Sequence, residues 1–242
     1  MRTILAVIIT LGVASAALAQ DDARSLLEKG IIAHGGERLV KARTLIRSVK
    51  GEIDTFPQAV PFTGETQLKL PDKGRWALEL ERNNQKLPVI LVVNGDKGWT
   101  TGGGASKEMS DQQVADQRQE LYVDWLITLL PILENKLDIA TIPEVKVNGE
   151  PSVGIKVTNK GKPEAKLYFD KKTGLLVKVE HKGKEAGVDV NKEYVLSNHK
   201  DFDGLKLPMK FVVMSNGKRV AEWTVTSYKL PDRIDDAMFG KP

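Results

Sequence analysis

The sequence predicts an α+β protein: an antiparallel meander with one apolar face, preceded by a helix and interrupted by a second helix that lies on that face. Three observations predict it. Turn signals recur along the chain: Asp72-Lys73-Gly74, Asn94-Gly95, Asn148-Gly149, Lys160-Gly161, Lys172-Thr173-Gly174, Asp203-Gly204 and Asn216-Gly217. Glycine and asparagine supply the positive φ that tight hairpins require. Between these turns apolar and polar residues alternate. One segment breaks the pattern: "LYVDWLITLLPIL", Leu121 to Leu133, is apolar at eleven of thirteen positions, counting Pro131.

The first element reads as an export leader. Met1 and Arg2 give a cationic start, Ile4 to Val13 an apolar core, and Ala17 to Ala19 a small-residue cleavage pattern, with cleavage expected after Ala19. An uncleaved membrane anchor fits less well, because the apolar stretch is short. The chain has no cysteine, which leaves no site for lipid attachment and no disulfide in the compartment it enters. A monomer in the periplasm is expected. Removing residues 1 to 19 from 242 leaves 223, enough for one unstapled core, and a single domain over residues 20–242 is expected.

Asp21 and Asp22 are good N-caps. Ala23, Leu26, Leu27, Ile31 and His34 then recur at helical spacing until Gly35 and Gly36. A short turn, "ERLVKAR", follows, and strand patterns begin at "TLIRSVKGEID". Trp76, Leu78 and Leu80 face one way and Ala77, Glu79 and Glu81 the other. Val153, Ile155 and Val157 oppose Gly154, Lys156 and Thr158. The alternation further along predicts Leu91, Val93 and Trp99 on the inner face as well.

Ser110 is placed to cap the inserted helix, and Val114, Leu121, Trp125, Leu129 and Leu133 fall on one stripe, widened by Tyr122, Leu126 and Leu130. Pro131 should end or kink this helix near Leu130, since it cannot donate the next backbone hydrogen bond. The run is too short to cross a bilayer, which needs about 20 residues. Burying each large side chain stabilises by about 1.5–3 kcal/mol, so the run must be covered, and the inner face of the meander is the surface available. Two arrangements are consistent with this: a dry core, or a strongly curved sheet that leaves an apolar cavity beneath the helix. For a cavity, the lining predicted is Trp76, Leu78, Leu80, Leu91, Val93, Trp99, Leu121, Trp125 and Leu129. Asp124 and Thr128, the polar residues of the run, are expected on the wet edge of the helix; a place at a cavity mouth is the alternative.

An exported chain with an N-terminal helix, a meander and an inserted apolar helix resembles the periplasmic lipoprotein-carrier, LolA/LolB-like, superfamily. "LYFDKKTGLLVKVE" (Leu167–Glu180), "DFDGLKLPMKF" (Asp201–Phe211) and "EWTVTSYKL" resemble the C-terminal strands of outer-membrane lipoprotein-sorting-like proteins. The resemblance implies a half-open β-barrel closed by helices that shelters acyl chains. It implies a lipid or acylated-protein ligand and no enzymatic activity. The missing cysteine excludes the membrane-anchored branch.

Other chemistry is poorly supported. His34, His181 and His199 have no metal-ligand spacing, and neither a metal nor a cofactor is expected. No G-x-S-x-G elbow occurs. Ser215 to Lys218 matches S-x-x-K, but its Asn-Gly marks a hairpin rather than the helix the motif needs. "TGGGASK" (Thr101–Lys107) lacks phosphate-loop spacing and reads as a connector. The acid pairs Glu79/Glu81, Asp201/Asp203 and Asp235/Asp236 read as a wet strand face, a turn and a helical turn. Aromatics do not interleave with lysine, so no nucleic-acid partner is expected.

Charge is uneven. Lys146 to Lys218 holds fifteen lysines against nine acidic residues, whereas Gln20 to Val145 holds sixteen basic against nineteen. The basic half suits transient contact with an anionic membrane surface; solvated strand faces that discourage edge pairing account for it better. Three functions follow in order: a carrier of hydrophobic ligands, a dry-cored envelope binding module, and an exported hydrolase.

Overall fold

The structure is a computed structural model that describes residues 11–54, 58–102, 104–134, 137–185 and 187–242, with side chains from Asp22 onward. Most of the expected leader, residues 1–10, lies outside the described residues. Helix α1 (Leu11–His34) runs through the expected cleavage point, so Asp21 and Asp22 sit inside a continuous helix instead of capping one. The cause is the preceding "LGVASAALAQ", rich in the strong helix formers alanine and leucine. Only cleavage after Ala19 would turn the two aspartates into a helix start.

A 3-10 turn (Gly36–Arg43) leads into the first meander: β1 (Thr44–Ile53), β2 (Val60–Lys69), β3 (Lys73–Arg82), β4 (Gln85–Asn94), β5 (Lys97–Gly102) and β6 (Lys107–Glu108). Helices α2 (Asp111–Ile127) and α3 (Leu130–Leu133) interrupt it. A second meander follows with β7 (Asp138–Val147), β8 (Glu150–Thr158), β9 (Ala165–Asp170), β10 (Leu176–Glu185) and β11 (Val188–Ser197). A small separate hairpin, β12 (Lys200–Phe202) and β13 (Leu205–Leu207), precedes β14 (Lys210–Ser215) and β15 (Lys218–Lys229). The main sheet has thirteen strands in the order β6-β5-β4-β3-β2-β1-β15-β14-β11-β10-β9-β8-β7. All pairs are antiparallel, and β6 and β7 remain edges, so the barrel is half-open. The two meanders join along one seam, β1 against β15.

Most turns lie where the glycines and asparagines put them: Asn148, Asp203 and Asn216 have φ of 51°, 52° and 48°, each followed by a positive-φ glycine. The β3–β4 turn has no glycine. Asn83 and Asn84 take φ of 52° and 56° there, as asparagine can.

Two strand glycines allow the sheet to fold closely over its inner face. Gly51 pairs with Phe62 and Trp223, and Gly64 with Val49 and Leu78. A Cβ on Gly51 would meet the Glu222 carbonyl oxygen and stand 2.7 Å from Trp223 Cα; one on Gly64 would stand 2.9 Å from Leu78 Cα. Backbone cannot yield as a side-chain tip can. Gly51→Ala is therefore expected to cost about 1–3 kcal/mol by overpacking, read as a lower urea midpoint with unchanged slope. A stability equal to wild type would show that the close approach is not structural.

Helix α2 begins with a capping box: Ser110 Oγ accepts from Gln113 N at 3.3 Å, and Gln113 Oε1 accepts from Ser110 N at 2.9 Å. It ends three residues before the expected stop. Leu129 takes a left-handed conformation, φ 58°, and Pro131 lies in the first turn of α3. Thr128 stabilises the break, its hydroxyl donating to Trp125 O at 2.6 Å and accepting from Leu130 N at 3.3 Å. Thr128 is therefore buried, not on a wet edge. The apolar run is covered throughout: Leu121, Tyr122, Val123, Trp125, Leu126, Leu129, Leu130 and Ile132 are buried, and Ile127 and Leu133 are half-buried. Among the described residues no helix is long and apolar enough to cross a membrane.

The end of α1 is fixed by histidine. His34 Nδ1 donates to Gly30 O at 2.8 Å, and Leu176 N donates to His34 Nε2 at 3.2 Å, which requires the neutral ring. His199 meets His34 edge-on with centroids 5.9 Å apart.

Candidate functional site: a cavity between sheet and helix

A cavity of about 200 Å³ lies between the concave face of the sheet and one side of α2. Cross-strand register builds its wall. Leu91, Trp76, Thr66 and Arg47 stand opposite one another across β4, β3, β2 and β1, and Leu78 lines the next rung. Val49, Ile53 and Phe62 continue the wall, and Ala221 and Trp223 of β15 complete it across the seam. Phe211 of β14 stacks on Trp223, centroids 5.1 Å apart and planes 9° from parallel.

The helix closes the cavity with its less apolar side. Gln117, Glu120, Asp124 and Ile127 recur at three- and four-residue spacing, so they share a face. Val123 adds an apolar contact beside them. Asp124, expected on the wet edge, is held inside by Arg47. The guanidinium donates from Nη1 to Oδ1 at 2.8 Å and from Nη2 to Oδ2 at 3.1 Å, with side chains only 6% and 14% exposed. Arg47 also stands 5.7 Å from the Phe211 ring centroid. Burial pushes the Asp124 carboxyl above its ordinary pKa; the charge of Arg47 works against this, and Glu120 adds to it. One turn earlier, Glu120 accepts from Tyr194 Oη and from Lys192 Nζ, each at 2.7 Å. Burial, reinforced by Glu120, drives the Tyr194 phenol well above its ordinary pKa.

The residues predicted to line a cavity divide into three groups. Trp76, Leu78 and Leu91 are on its wall. Leu80 and Val93 share the concave face but pack into the surrounding core, as do Leu121, Trp125 and Leu129. Trp99 is on the opposite face: it pairs with Val92 and packs in a separate cluster with Val92, Ile234 and Phe239. The cross-strand pair Leu91–Thr100 shows the cause, a frame off by one residue at β5, which moves a side chain to the other surface. Of the polar wall, from Arg47 through Glu120 and Asp124 to Tyr194, only Asp124 was considered for a cavity, as the alternative to a wet edge. Its available signal was Arg47 itself, a charge between Leu45 and Val49 on an inward strand face.

Among the described residues no cluster of His, Asp or Glu could hold a metal ion. His181 lies over Tyr194 at 5.8 Å, stacked, and Ser215 and Lys218 are a cross-strand pair of the β14–β15 hairpin.

No protein-family model matches the sequence, and no curated protein matches it. Solved structures do match. A LolA superfamily protein from Nitrosomonas europaea aligns over 90% of this chain and 97% of its own at TM-score 0.58 and 13% identity. The chain has the LolA-like fold. A Vibrio parahaemolyticus domain described as outer membrane lipoprotein-sorting aligns over 91% and 97% at TM-score 0.58 and 12% identity. A DUF1329 family protein from Desulfovibrio piger aligns over 90% and 97% with the same score and 12% identity. At such identities the LolA-like likeness is one of architecture: an open antiparallel sheet with helices on its concave side.

Proposed function

We propose that the protein is a non-catalytic periplasmic carrier that shelters an acyl or other hydrophobic group between sheet and helix. The observation that carries this reading is the cavity, with Trp76, Leu78, Leu91, Ile53 and Trp223 on its wall. Apolar walls left uncovered by the protein's own side chains are what a hydrophobic guest needs. The ionisable groups at the cavity are engaged with one another, as in a binding site rather than a catalytic one. The expected leader and the LolA-like fold, shared with a domain described as lipoprotein-sorting, support the same reading. The basic C-terminal half would favour transient approach to an anionic membrane surface.

Uptake of the neutral fluorophore N-phenyl-1-naphthylamine tests it. The wild type is expected to enhance its emission saturably, at one site per chain. Leu78→Asp, which places a charge on the wall, is expected to weaken uptake at least about tenfold while retaining the wild-type circular dichroism. Uptake unchanged by this substitution would place the fluorophore elsewhere, and no saturable uptake by the wild type would reject the carrier.

A further inference from the structure

The cavity is both small and charge-balanced, and together these properties restrict its guest. A cavity of about 150 Å³ lined by aliphatic residues accepts one benzene-sized body. At about 200 Å³ this one has room for a single chain segment, not for three chains side by side. Its charges are already matched. Arg47 gives both terminal nitrogens to Asp124, and Glu120 gives one oxygen to Tyr194 and the other to Lys192. An entering carboxylate would meet Asp124 and Glu120 with the fork of Arg47 already occupied. An entering ammonium would meet Arg47 itself. Either ion would lose its hydration without gaining a free counter-charge. The polar side chains that remain on the wall, Gln117 and Thr66, are uncharged. An uncharged polar head can hydrogen-bond to such groups without disturbing the ion pair.

We propose that the cavity takes one hydrocarbon chain joined to an uncharged polar head, an ester, amide or alcohol, and discriminates against free carboxylates, ammonium amphiphiles and three-chain lipids. This rests on the carrier reading and narrows it. The head lies beside Gln117, and the chain runs along Trp76, Leu78 and Trp223.

Displacement of bound N-phenyl-1-naphthylamine decides the matter, with tryptophan emission as a second readout because Trp76 and Trp223 are on the wall. Four competitors are compared below their micelle concentrations: monolauroylglycerol, laurate, dodecyltrimethylammonium and a tripalmitoylated lipopeptide. Monolauroylglycerol is expected to displace the fluorophore at a concentration at least about tenfold lower than either ion, and the lipopeptide not to displace it. Asp124→Asn, which frees the charge of Arg47, is expected to move the preference toward laurate. Should that variant fail to fold, the wild-type ranking decides alone. Laurate equal to the monoester, or displacement by the lipopeptide, overturns this ligand class while leaving the carrier in place. Failure of the fluorophore itself to bind overturns both.

Discussion

Asp124→Ala is expected to lower folding stability by about 3–5 kcal/mol. Arg47 would be left buried, 5% exposed, with no carboxylate against it. The cost arises from that stranded charge more than from the lost bond, and a paired replacement tests this. Arg47→Met with Asp124→Leu removes both charges and is expected to recover most of the loss, because desolvating an ion pair offsets much of its attraction. Urea unfolding of the two singles and the double measures the coupling. A single-variant loss under about 1 kcal/mol, or a double no better than the worse single, would contradict a buried pair between helix and sheet.

Acidification should weaken the protein through His199. Its pKa is lowered to about 4, first by burial and then by the neighbouring His34, which burial also lowers. The sign follows from linkage. At neutral pH both native and unfolded His199 are uncharged and its contribution is intact. As pH falls below about 6.5 the unfolded chain takes up a proton that the native ring refuses, and stability declines. The decline levels off below about 4, where the native ring also charges. The full difference is about 3 kcal/mol, at up to about 1.4 kcal/mol per pH unit. Urea midpoints between pH 7.5 and 4.5 would show it, and His199→Phe should flatten the curve over that window; an equally steep curve in the variant would assign the effect to other groups.

Much of this architecture was legible because it follows from local rules. Glycine and asparagine mark most of the hairpins, alternation gives the concave face of β3 and β8, and a dense apolar run has to be covered. The departures have physical causes. Asn83–Asn84 makes a turn without glycine. At β5 one residue of frame exchanges Thr100 for Trp99. The larger departure concerns α2. Amphipathic reasoning assigns the apolar stripe to the ligand and the polar stripe to water. Here Leu121, Trp125 and Leu129 fill the core, and the face bearing Gln117, Glu120 and Asp124 meets the cavity. From Leu121 to Ile127 the helix is wrapped by protein and has no exposed residue, and the charges of Glu120 and Asp124 are matched by Lys192 and Arg47, which lie far away in sequence.

The seam between β1 and β15 has a consequence for biogenesis. Ser48 and Ser227 bond across it while 179 positions apart, so the strand that emerges first waits for the one that emerges last. The cavity wall draws on both sides of it, with Arg47 to Leu91 on the β1 side and Tyr194, Phe211, Ala221 and Trp223 on the β15 side. Long-range closure of this kind is slow, because the loop entropy must be met before the contacts form. This topology postpones completion of the barrel until synthesis has passed β15.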